Sequence, residues 1–268
     1  MYSNLFDSHV HSDNSHDGEH SVTFLCENAQ QKNLMGLCIT DHYELEQNEG
    51  QADLCLQNSF LETGKARQAF DRRLLVMNGI EMGQATRNFQ KASSVLNSYR
   101  FDFVLGSLHC IRETDDFAYV DFSGLDIDLL LQKYFEEMLE LCRWGEFDSL
   151  AHMTYPLRYI VGNYGIPVDM KRYDEVIDQI LRTLADNHLG LEINTAGLRR
   201  EIGQTSPTLE YVKRFRQLGG EILTFGSDAH RAGDLGKGIE TAMDMAKEAG
   251  FSYFAAFKKR MPRMLRLI

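Results

Sequence analysis

This chain of 268 residues has few prolines, few cysteines and no long hydrophobic run. With only four prolines and no low-complexity segment, nothing in the sequence marks a boundary between domains. The five cysteines are an odd number and form no CxxC pair, which favours reduced thiols over a disulfide framework or a cysteine-ligated metal. No apolar run approaches the roughly 20 residues that a membrane-spanning helix needs.

Positive charge is also scarce, since 28 Lys and Arg residues face 39 Asp and Glu residues and give a net charge of −11. A nucleic-acid partner is disfavoured because DNA binding relies on neutralising phosphates with Lys and Arg. A small anionic substrate is compatible with this net charge, because a few local cations or metal ions override the electrostatic field of the whole protein. The segment Met1–Asn4 lacks the basic and apolar regions of a secretion signal. These features predict a cytoplasmic protein with no membrane partner.

Hydrophobic residues make up 43% of the chain, enough to bury a large core. Strand-like and helix-like segments alternate, which is typical of βα units around a mainly parallel sheet. The strand-like runs cover residues 6–11, 36–42, 74–81, 103–109, 147–152, 189–194 and 222–230. Seven such units predict an α/β barrel one unit short of the common eightfold form, built as a single domain over residues 1–268.

Helices are predicted between these runs. Asp126 to Trp144 carries apolar residues at helical spacing and stops at Gly145, and a second apolar stripe runs from 176 to 184. Ser206-Pro207 predicts an N-cap followed by a proline in the first helical position. Residues 47–70 are polar and lack a strand pattern, so we expect a long loop with some helix there.

The histidines are concentrated at the ends of the strand-like runs. Six of the nine lie there, namely His9, His11, His42, His109, His152 and His230. Because the carboxyl ends of parallel strands meet on one rim, we expect these imidazoles to gather on it. Imidazoles and carboxylates on one rim predict a metal centre.

Acidic residues complete the predicted centre. His9 and His11 lie two residues apart, as do Asp228 and His230, so the members of each pair point to the same face of the sheet. Glu81 ends an apolar strand, where a carboxylate needs a partner, and it is a natural bridge between two ions.

Asp17 lies in the polar loop after His11 and is a further candidate, with His16 and His20 competing for its role. Asp41, next to His42, is predicted to orient a ligand imidazole. The candidates are too many for one zinc ion and suit a cluster of two or three divalent ions. They are His9, His11, Asp17, His42, Glu81, His109, His152, Asp228 and His230.

Six segments of the chain form a recognisable series. They are Asp7–His11, Thr40–His42, Gly79–Glu81, Gly106–His109, Ala151–His152 and Gly226–His230. In this order they resemble the polymerase-and-histidinol-phosphatase (PHP) family of metal-dependent phosphoesterases. The likeness is greatest to the stand-alone histidinol-phosphatases of that family, because the length agrees and Leu191–Arg199 resembles their strand-and-loop signature.

The resemblance implies a distorted (β/α)7 barrel that holds three ions of zinc, manganese or iron. By position in the motifs, the first ion is bound by His9, His11, Glu81 and Asp228. Glu81 bridges to a second ion bound by His109 and His152, and the third is bound by Asp17, His42 and His230. Many family members have histidine at the position of Asp17, and the neighbouring His16 leaves the register open.

Arg158 and Arg199 are the predicted phosphate contacts, with Arg200 as the adjacent alternative. Guanidinium groups suit phosphate because they form bidentate hydrogen bonds, and position in the family's motifs favours these two. Glu44 and Glu46 are candidate partners for the imidazole and ammonium ends of a substrate.

The function that the resemblance implies is hydrolysis of L-histidinol phosphate to L-histidinol and phosphate in histidine biosynthesis. The metal ions would polarise the phosphate oxygens and activate a water that attacks phosphorus in line. Glu81, Asp228 and His230 are the expected catalytic residues, and Asp228 or His230 is the candidate for assisting proton transfer.

A phosphodiesterase or nuclease of the same fold, or a phosphatase of another small phosphomonoester, is the alternative. A nuclease needs a basic groove. The only notable basic cluster is most simply a solvated face and consists of Lys258, Lys259, Arg260, Arg263 and Arg266. A non-catalytic sensor is disfavoured by the complete ligand set. The sequence makes no prediction of the oligomeric state.

Overall fold

The structure is a computed structural model that describes residues 2–45, 49–112 and 114–268. Its central sheet is built from β1 Phe6–Val10, β2 Gly36–Ile39, β3 His42–Glu44, β4 Leu75–Gly83, β5 Phe103–Ser107, β6 Ser149–Leu150, β7 Gly190–Asn194 and β8 Leu223–Gly226. Seven strands lie side by side in the order β1-β2-β4-β5-β6-β7-β8, all parallel. The remaining strand, β3, pairs with the end of β4.

The sheet curls into a nearly closed barrel. Where the first and last strands meet, the amide of Asp228 donates to the carbonyl of His9 and the amide of His11 to that of Ala229, both at 2.9 Å. One strand position is broken in two, because β2 pairs with the first half of β4 and β3 with the second half. The predicted distorted (β/α)7 barrel is confirmed.

Helices cover the outside of the barrel. They are α1 Val22–Gln31, α2 Glu49–Ala69, α3 Phe89–Ser98, α4 Ile127–Trp144, α5 Asp174–Asp186, α6 Leu209–Gln217 and α7 Ile239–Glu248. Two predicted helices are confirmed. The Asp126 side chain caps α4 by accepting from the amide of Leu129, and the helix ends at Gly145, whose φ of 69° is a conformation that glycine adopts without steric cost. The predicted stripe at 176–184 is the buried face of α5.

The expected loop over residues 47–70 is wrong, because the described part of this region forms the long helix α2. Its buried positions are 52, 56, 59, 63 and 66, which follow helical spacing. Two of them are the polar residues Ser59 and Thr63, which hide the apolar stripe from sequence inspection. Ser59 is buried because its hydroxyl donates to Asp41 at 2.5 Å.

The predicted N-cap at Ser206-Pro207 is also wrong. The helix begins at Leu209, and Thr208 occupies the N-cap position. Ser206 exchanges two backbone hydrogen bonds of 2.9 Å with Asn194 at the end of β7. Its hydroxyl also contacts that of Thr154 at 2.7 Å. Ser206 therefore forms a β-bridge at the carboxyl end of β7 instead of starting the helix.

A hairpin of β9 Tyr253–Lys258 and β10 Met261–Arg266 follows the barrel. It packs at the amino ends of the strands, since the Arg260 amide donates to the carbonyl of Asp102 at 2.9 Å and its Nε to Asp148 at 2.6 Å. Arg260 is half-buried, whereas the other basic residues of the predicted solvated face are exposed: Lys258, Lys259, Arg263 and Arg266.

Side chains alternate along the strands between the helical layer and the barrel interior. In β7, Leu191 and Ile193 pack in the hydrophobic core, while Glu192 and Asn194 form polar contacts inside the barrel. The five cysteines, all within the described ranges, form no disulfide. No helix within the described ranges is long and apolar enough to cross a membrane.

We predict that Ser59→Ala lowers the free energy of unfolding by about 1.5–3 kcal/mol, because it removes a hydrogen bond to a buried carboxylate. Asn58→Ala, at an exposed position of the same helix, is the matched control and should change stability by less than about 0.5 kcal/mol. Urea denaturation of both variants measures the difference. Equal stability of the two would show that the contact between Ser59 and Asp41 does not anchor α2.

Candidate metal centre

The fully buried carboxylate of Glu81, in β4, lies in the middle of the site. Its Oε2 is 3.3 Å from Nε2 of His9 and 3.4 Å from Nε2 of His11. Oδ1 of Asp228 lies 3.7 Å and 3.6 Å from the same two nitrogens. The structure therefore brings together the four residues implied for the first ion, from β1, β4 and the segment after β8.

The other carboxylate oxygen of Glu81 faces a second group. Oε1 lies 2.9 Å from Nε2 of His152 and 3.2 Å from Nε2 of His109, and these two nitrogens are 3.3 Å apart. The two histidines follow β6 and β5. Oε2 also lies 3.0 Å from Nδ1 of His42. Because the two oxygens of one carboxylate face separate groups of imidazoles, Glu81 has the geometry of a ligand that bridges two ions.

A third group lies towards the solvent. The rings of His42 and His230 stack on His11, each with a centroid distance of 4.2 Å. The carboxylate of Asp17 lies 3.0 Å from Nε2 of His230 and 3.7 Å from Nε2 of His42. His16 is half exposed and lies 3.9 Å from Asp17. Asp17, and not His16, is therefore the residue between the two imidazoles.

Several buried polar atoms of this site have no hydrogen-bond partner within the described residues. They include Nε2 of His9, Nε2 of His11, Nδ1 of His42 and Oε2 of Glu81. Unpaired buried polar atoms are rare in proteins because they are costly. Nitrogen and carboxylate donors that converge in this way suit divalent transition-metal ions. The residues present therefore fit a cluster of such ions.

Both central carboxylates are charged at neutral pH. Burial alone raises the pKa of Glu81, but the surrounding His9 and His109 hold it well below its usual range. Burial likewise raises the pKa of Asp228, and His9 and Arg158 more than offset this, so that it too lies well below its usual range. The site therefore presents fixed negative charge to a cation.

The imidazoles fall into two classes. Burial lowers the pKa values of His9, His42 and His109, yet the facing carboxylates outweigh burial and raise all three well above the usual range. Burial lowers the pKa values of His11 and His152, which are therefore neutral, the form that binds metals. The site as a whole favours added positive charge, which divalent cations supply in place of protons.

Glu192 is a site residue that sequence analysis did not assign. It is fully buried in β7, and its Oε1 contacts Nδ1 of His9 at 2.7 Å while its Oε2 accepts from the amide of His152 at 2.8 Å. A carboxylate at Nδ1 fixes the ring and leaves Nε2 for the centre. The signal that could have found it is the one used for Glu81, an acidic residue inside an apolar strand.

Gly226 makes room for this contact. A Cβ at Gly226 would lie 2.1 Å from Oε1 of Glu192 and 2.5 Å from Cβ of His9. Any side chain at this position would displace the carboxylate or the imidazole. The glycine of the Gly226–His230 motif is therefore explained by close approach inside the barrel.

Asp41 acts on the site through a serine. It accepts from the hydroxyl of Ser15 at 2.8 Å, and that oxygen lies 3.3 Å from Nδ1 of His11. It also accepts from the hydroxyls of Ser12 and Ser59. Within the described residues Asp41 forms no direct hydrogen bond to an imidazole, and it orients His11 through Ser15 while it organises the loop after His11.

Glu44 is paired with imidazoles of the protein. Its Oε1 lies 2.9 Å from Nδ1 of His109 and 3.3 Å from Nδ1 of His42. Burial raises its pKa, but His109 first and then His42 lower it to about 2. Glu44 thus lies beside the centre as a charged group. Glu46, the other predicted partner of a substrate, lies outside the described residues.

A cavity of about 500 Å³ opens over the centre, a size suited to a small ligand. Besides the ligand candidates, its wall includes Asp116, Tyr119, Tyr155, Tyr159 and Arg200. The buried side chain of Arg158 also lines it and donates to Asp228 at 3.0 Å. Arg199 is not in the wall, and its Nη2 donates to the carbonyl of Ser227 at 2.7 Å.

The barrel and the converging donors define a metal-dependent hydrolase. Residues 7–196 match the family model of the PHP domain, and the chain belongs to this family. The family recognised from the sequence is thereby confirmed.

The chain is similar to proteins named histidinol-phosphatases over nearly its full length. It is 31% identical over 257 residues to a probable histidinol-phosphatase of Thermotoga maritima, with 96% of this chain and 97% of that protein covered. It is 28% identical over 257 residues to a histidinol-phosphatase of Lactococcus lactis, with 94% and 93% covered. A crystal structure of histidinol phosphate phosphatase from Lactococcus lactis, complexed with zinc, L-histidinol and phosphate, matches with a TM-score of 0.81 at 25% identity, covering 97% of this chain and 99% of that one.

We predict that the protein, purified and reconstituted with zinc or manganese, holds more than one ion per chain, because Glu81 faces two groups of donors. Elemental analysis of the dialysed protein measures the ratio. Glu81→Gln should hold fewer ions with its fold kept, since a neutral amide lacks the charge that lets two cations lie close together. Less than about one equivalent in the wild type after careful reconstitution would contradict a multinuclear centre.

Proposed function

We propose that this protein is a histidinol-phosphatase that hydrolyses L-histidinol phosphate to L-histidinol and phosphate. The observation that carries the proposal is the bridging position of Glu81 beneath a small cavity that Arg158 lines. A phosphate group fits such a site because it offers several charged oxygens to cations and guanidinium groups at once. The named function of the relatives and the L-histidinol in the Lactococcus structure support the choice of alcohol.

The proposed ligand sets keep the assignment made from the sequence motifs. His9, His11, Glu81 and Asp228 would hold one ion, and Glu81 with His109 and His152 a second. Asp17, His42 and His230 would hold a third. Divalent ions held by these residues would supply Lewis-acid chemistry, which polarises phosphate oxygens and lowers the pKa of water.

Arg158 is the proposed phosphate contact. Its Nη2 is held by Asn194 at 2.7 Å and Asp228 at 3.0 Å, which fixes the guanidinium at the cavity wall. Its buried Nε has no hydrogen-bond partner within the described residues, so the protein does not satisfy every donor of this guanidinium. For a second phosphate contact, the sequence motifs favour Arg199. Arg200 is the alternative because it lines the cavity.

Proton transfer to the leaving alcohol is assigned to Asp228 and His230. Both line the cavity. The His230 side chain is 27% exposed, and its Nδ1 lies 3.1 Å from the Asp228 carbonyl oxygen. Nε2 of His230 faces Asp17 at 3.0 Å, so binding the third ion and carrying a proton both require this nitrogen and are alternative roles for His230.

A nuclease is less well supported. The exposed basic residues at 258–266 lie on the hairpin at the amino ends of the strands, whereas the centre lies at the carboxyl ends. The cavity wall itself contains the acidic residues Asp17, Glu44 and Asp116. The basic cluster at 258–266 therefore offers a polynucleotide no contact on the side of the barrel where the ions would lie.

We predict that the metal-loaded protein prefers L-histidinol phosphate to p-nitrophenyl phosphate and to any dinucleotide. Phosphate release under identical conditions gives kcat/KM for each substrate. The reason is that a small cavity with Arg158 as a phosphate contact selects a terminal phosphate on a compact alcohol. Faster cleavage of single-stranded DNA than of histidinol phosphate would overturn the proposal in favour of a nuclease.

Arg158→Ala should lower kcat/KM for the phosphomonoester by about 10- to 150-fold, the effect of losing a charge-assisted contact. Metal content should change far less, because Arg158 is not a proposed ligand. Measuring kcat/KM of Arg199→Ala and Arg200→Ala in parallel decides the second phosphate contact. The sequence motifs favour Arg199, and the cavity wall favours Arg200. Unchanged kinetics in Arg158→Ala would remove it from phosphate binding.

A further inference from the structure

One carboxylate of the cavity wall does not face an imidazole. The wall contains five acidic residues, and four of them lie 3.7 Å or less from a histidine nitrogen: Asp17, Glu44, Glu81 and Asp228. Asp116 is the fifth, and within the described residues no histidine nitrogen pairs with it. Asp116 is thus the acidic group that the proposed metal centre leaves unused.

Asp116 is held through one of its two oxygens. Its Oδ1 accepts from the amide of Ala118 at 2.8 Å and from the hydroxyl of Tyr155 at 3.2 Å. The hydroxyl of Tyr159 in turn donates to that of Tyr155 at 2.9 Å. Oδ2 of Asp116 has no hydrogen-bond partner in the described parts of the chain. A half-buried carboxylate with one oxygen fixed and the other open is preorganised to accept from a ligand.

Tyr155 sets the position of Asp116 relative to the centre. Its ring centroid lies 5.0 Å from the rings of both His109 and His152, and its hydroxyl reaches Asp116. The carboxylate therefore lies about one phenol ring away from the imidazoles proposed to hold the second ion. An ester whose phosphate lies on the ions would extend its alcohol portion along this wall.

The surrounding wall suits a cation. Tyr159 and the exposed Tyr119 line the cavity, whereas the ring of Tyr155 already has the guanidinium of Arg158 5.1 Å from its centroid. Aromatic rings attract positive charge at their faces, and a carboxylate adds a charged acceptor. Arg200 also lines the wall, and its positive charge suits the phosphate end.

We propose that Asp116 is a specificity-determining residue that binds the positively charged amine or imidazole at the far end of the substrate. The inference rests on the proposed phosphomonoesterase function of this site. It assigns the substrate class as phosphomonoesters of cationic alcohols, selected over neutral alcohols of the same size.

The test is Asp116→Asn in the full-length, metal-loaded protein. The amide keeps the size of the side chain and an acceptor for Tyr155 but removes the charge. Substrates are L-histidinol phosphate, aminoalkyl phosphates of increasing length and alkyl phosphates of matching length. The matched control is Asp115→Asn, which makes the same charge change at an exposed neighbour outside the cavity wall.

We expect kcat/KM for the cationic esters to fall about 10- to 100-fold in Asp116→Asn, mainly through KM, as for loss of a charge-assisted contact. The neutral alkyl phosphates and the Asp115→Asn variant should stay within about twofold of the wild type. A merely structural role of Asp116 would lower the rates of cationic and neutral esters alike, and that result would overturn the inference.

The outcomes separate the two proposals. If L-histidinol phosphate is preferred and Asp116→Asn keeps the preference for cations, the role of Asp116 is refuted while the proposed function stands. L-histidinol phosphate could instead be a poor substrate while the wild type prefers other cationic esters. If Asp116→Asn loses that preference, the role of Asp116 stands, and L-histidinol is the wrong alcohol. A wild type without any preference for cationic esters would overturn the role of Asp116.

Discussion

The structure depends on one buried negative charge, that of Glu81 at the centre of the barrel rim. A charged carboxylate without water is tolerated only when opposite charge or strong donors surround it. Here the surrounding groups are imidazoles from four different places in the chain: His9 lies in β1, His42 begins β3, and His109 and His152 follow β5 and β6. The barrel is what holds these distant segments within a few ångströms of one carboxylate.

This demand for polar groups shapes the barrel interior. Several inward positions of the strands carry small or polar residues, such as Gly226 and Glu192, while outward positions such as Leu191 and Ile193 are apolar and belong to the hydrophobic core. Many of the stabilising hydrophobic contacts therefore lie outside the barrel interior. Such a division lets the centre be polar and crowded with charge without depriving the fold of its core.

Sequence patterns predicted the features that depend on local spacing. Short apolar runs located the strands, and alternation with period two placed His9 and His11 on one face. Helical spacing from Asp126 and the stop at Gly145 located α4. The pattern did not predict the helix α2, because its buried face carries the polar residue Ser59. The hydrogen-bond partner of Ser59 is Asp41, which lies between β2 and β3. The start of α6 was not predicted correctly, because Ser206 forms a backbone bridge with Asn194 at the end of β7.

The sequence by itself determined the kinds of ligand and the strand ends that carry them, since both follow from residue type and short-range order. Only the tertiary structure decided which donors share a group, that Glu192 holds His9, and that Asp116 faces the cavity. The physical reason is distance along the chain. His9 and Glu192 are 183 residues apart, and no local pattern records that two such residues meet at 2.7 Å when the barrel closes.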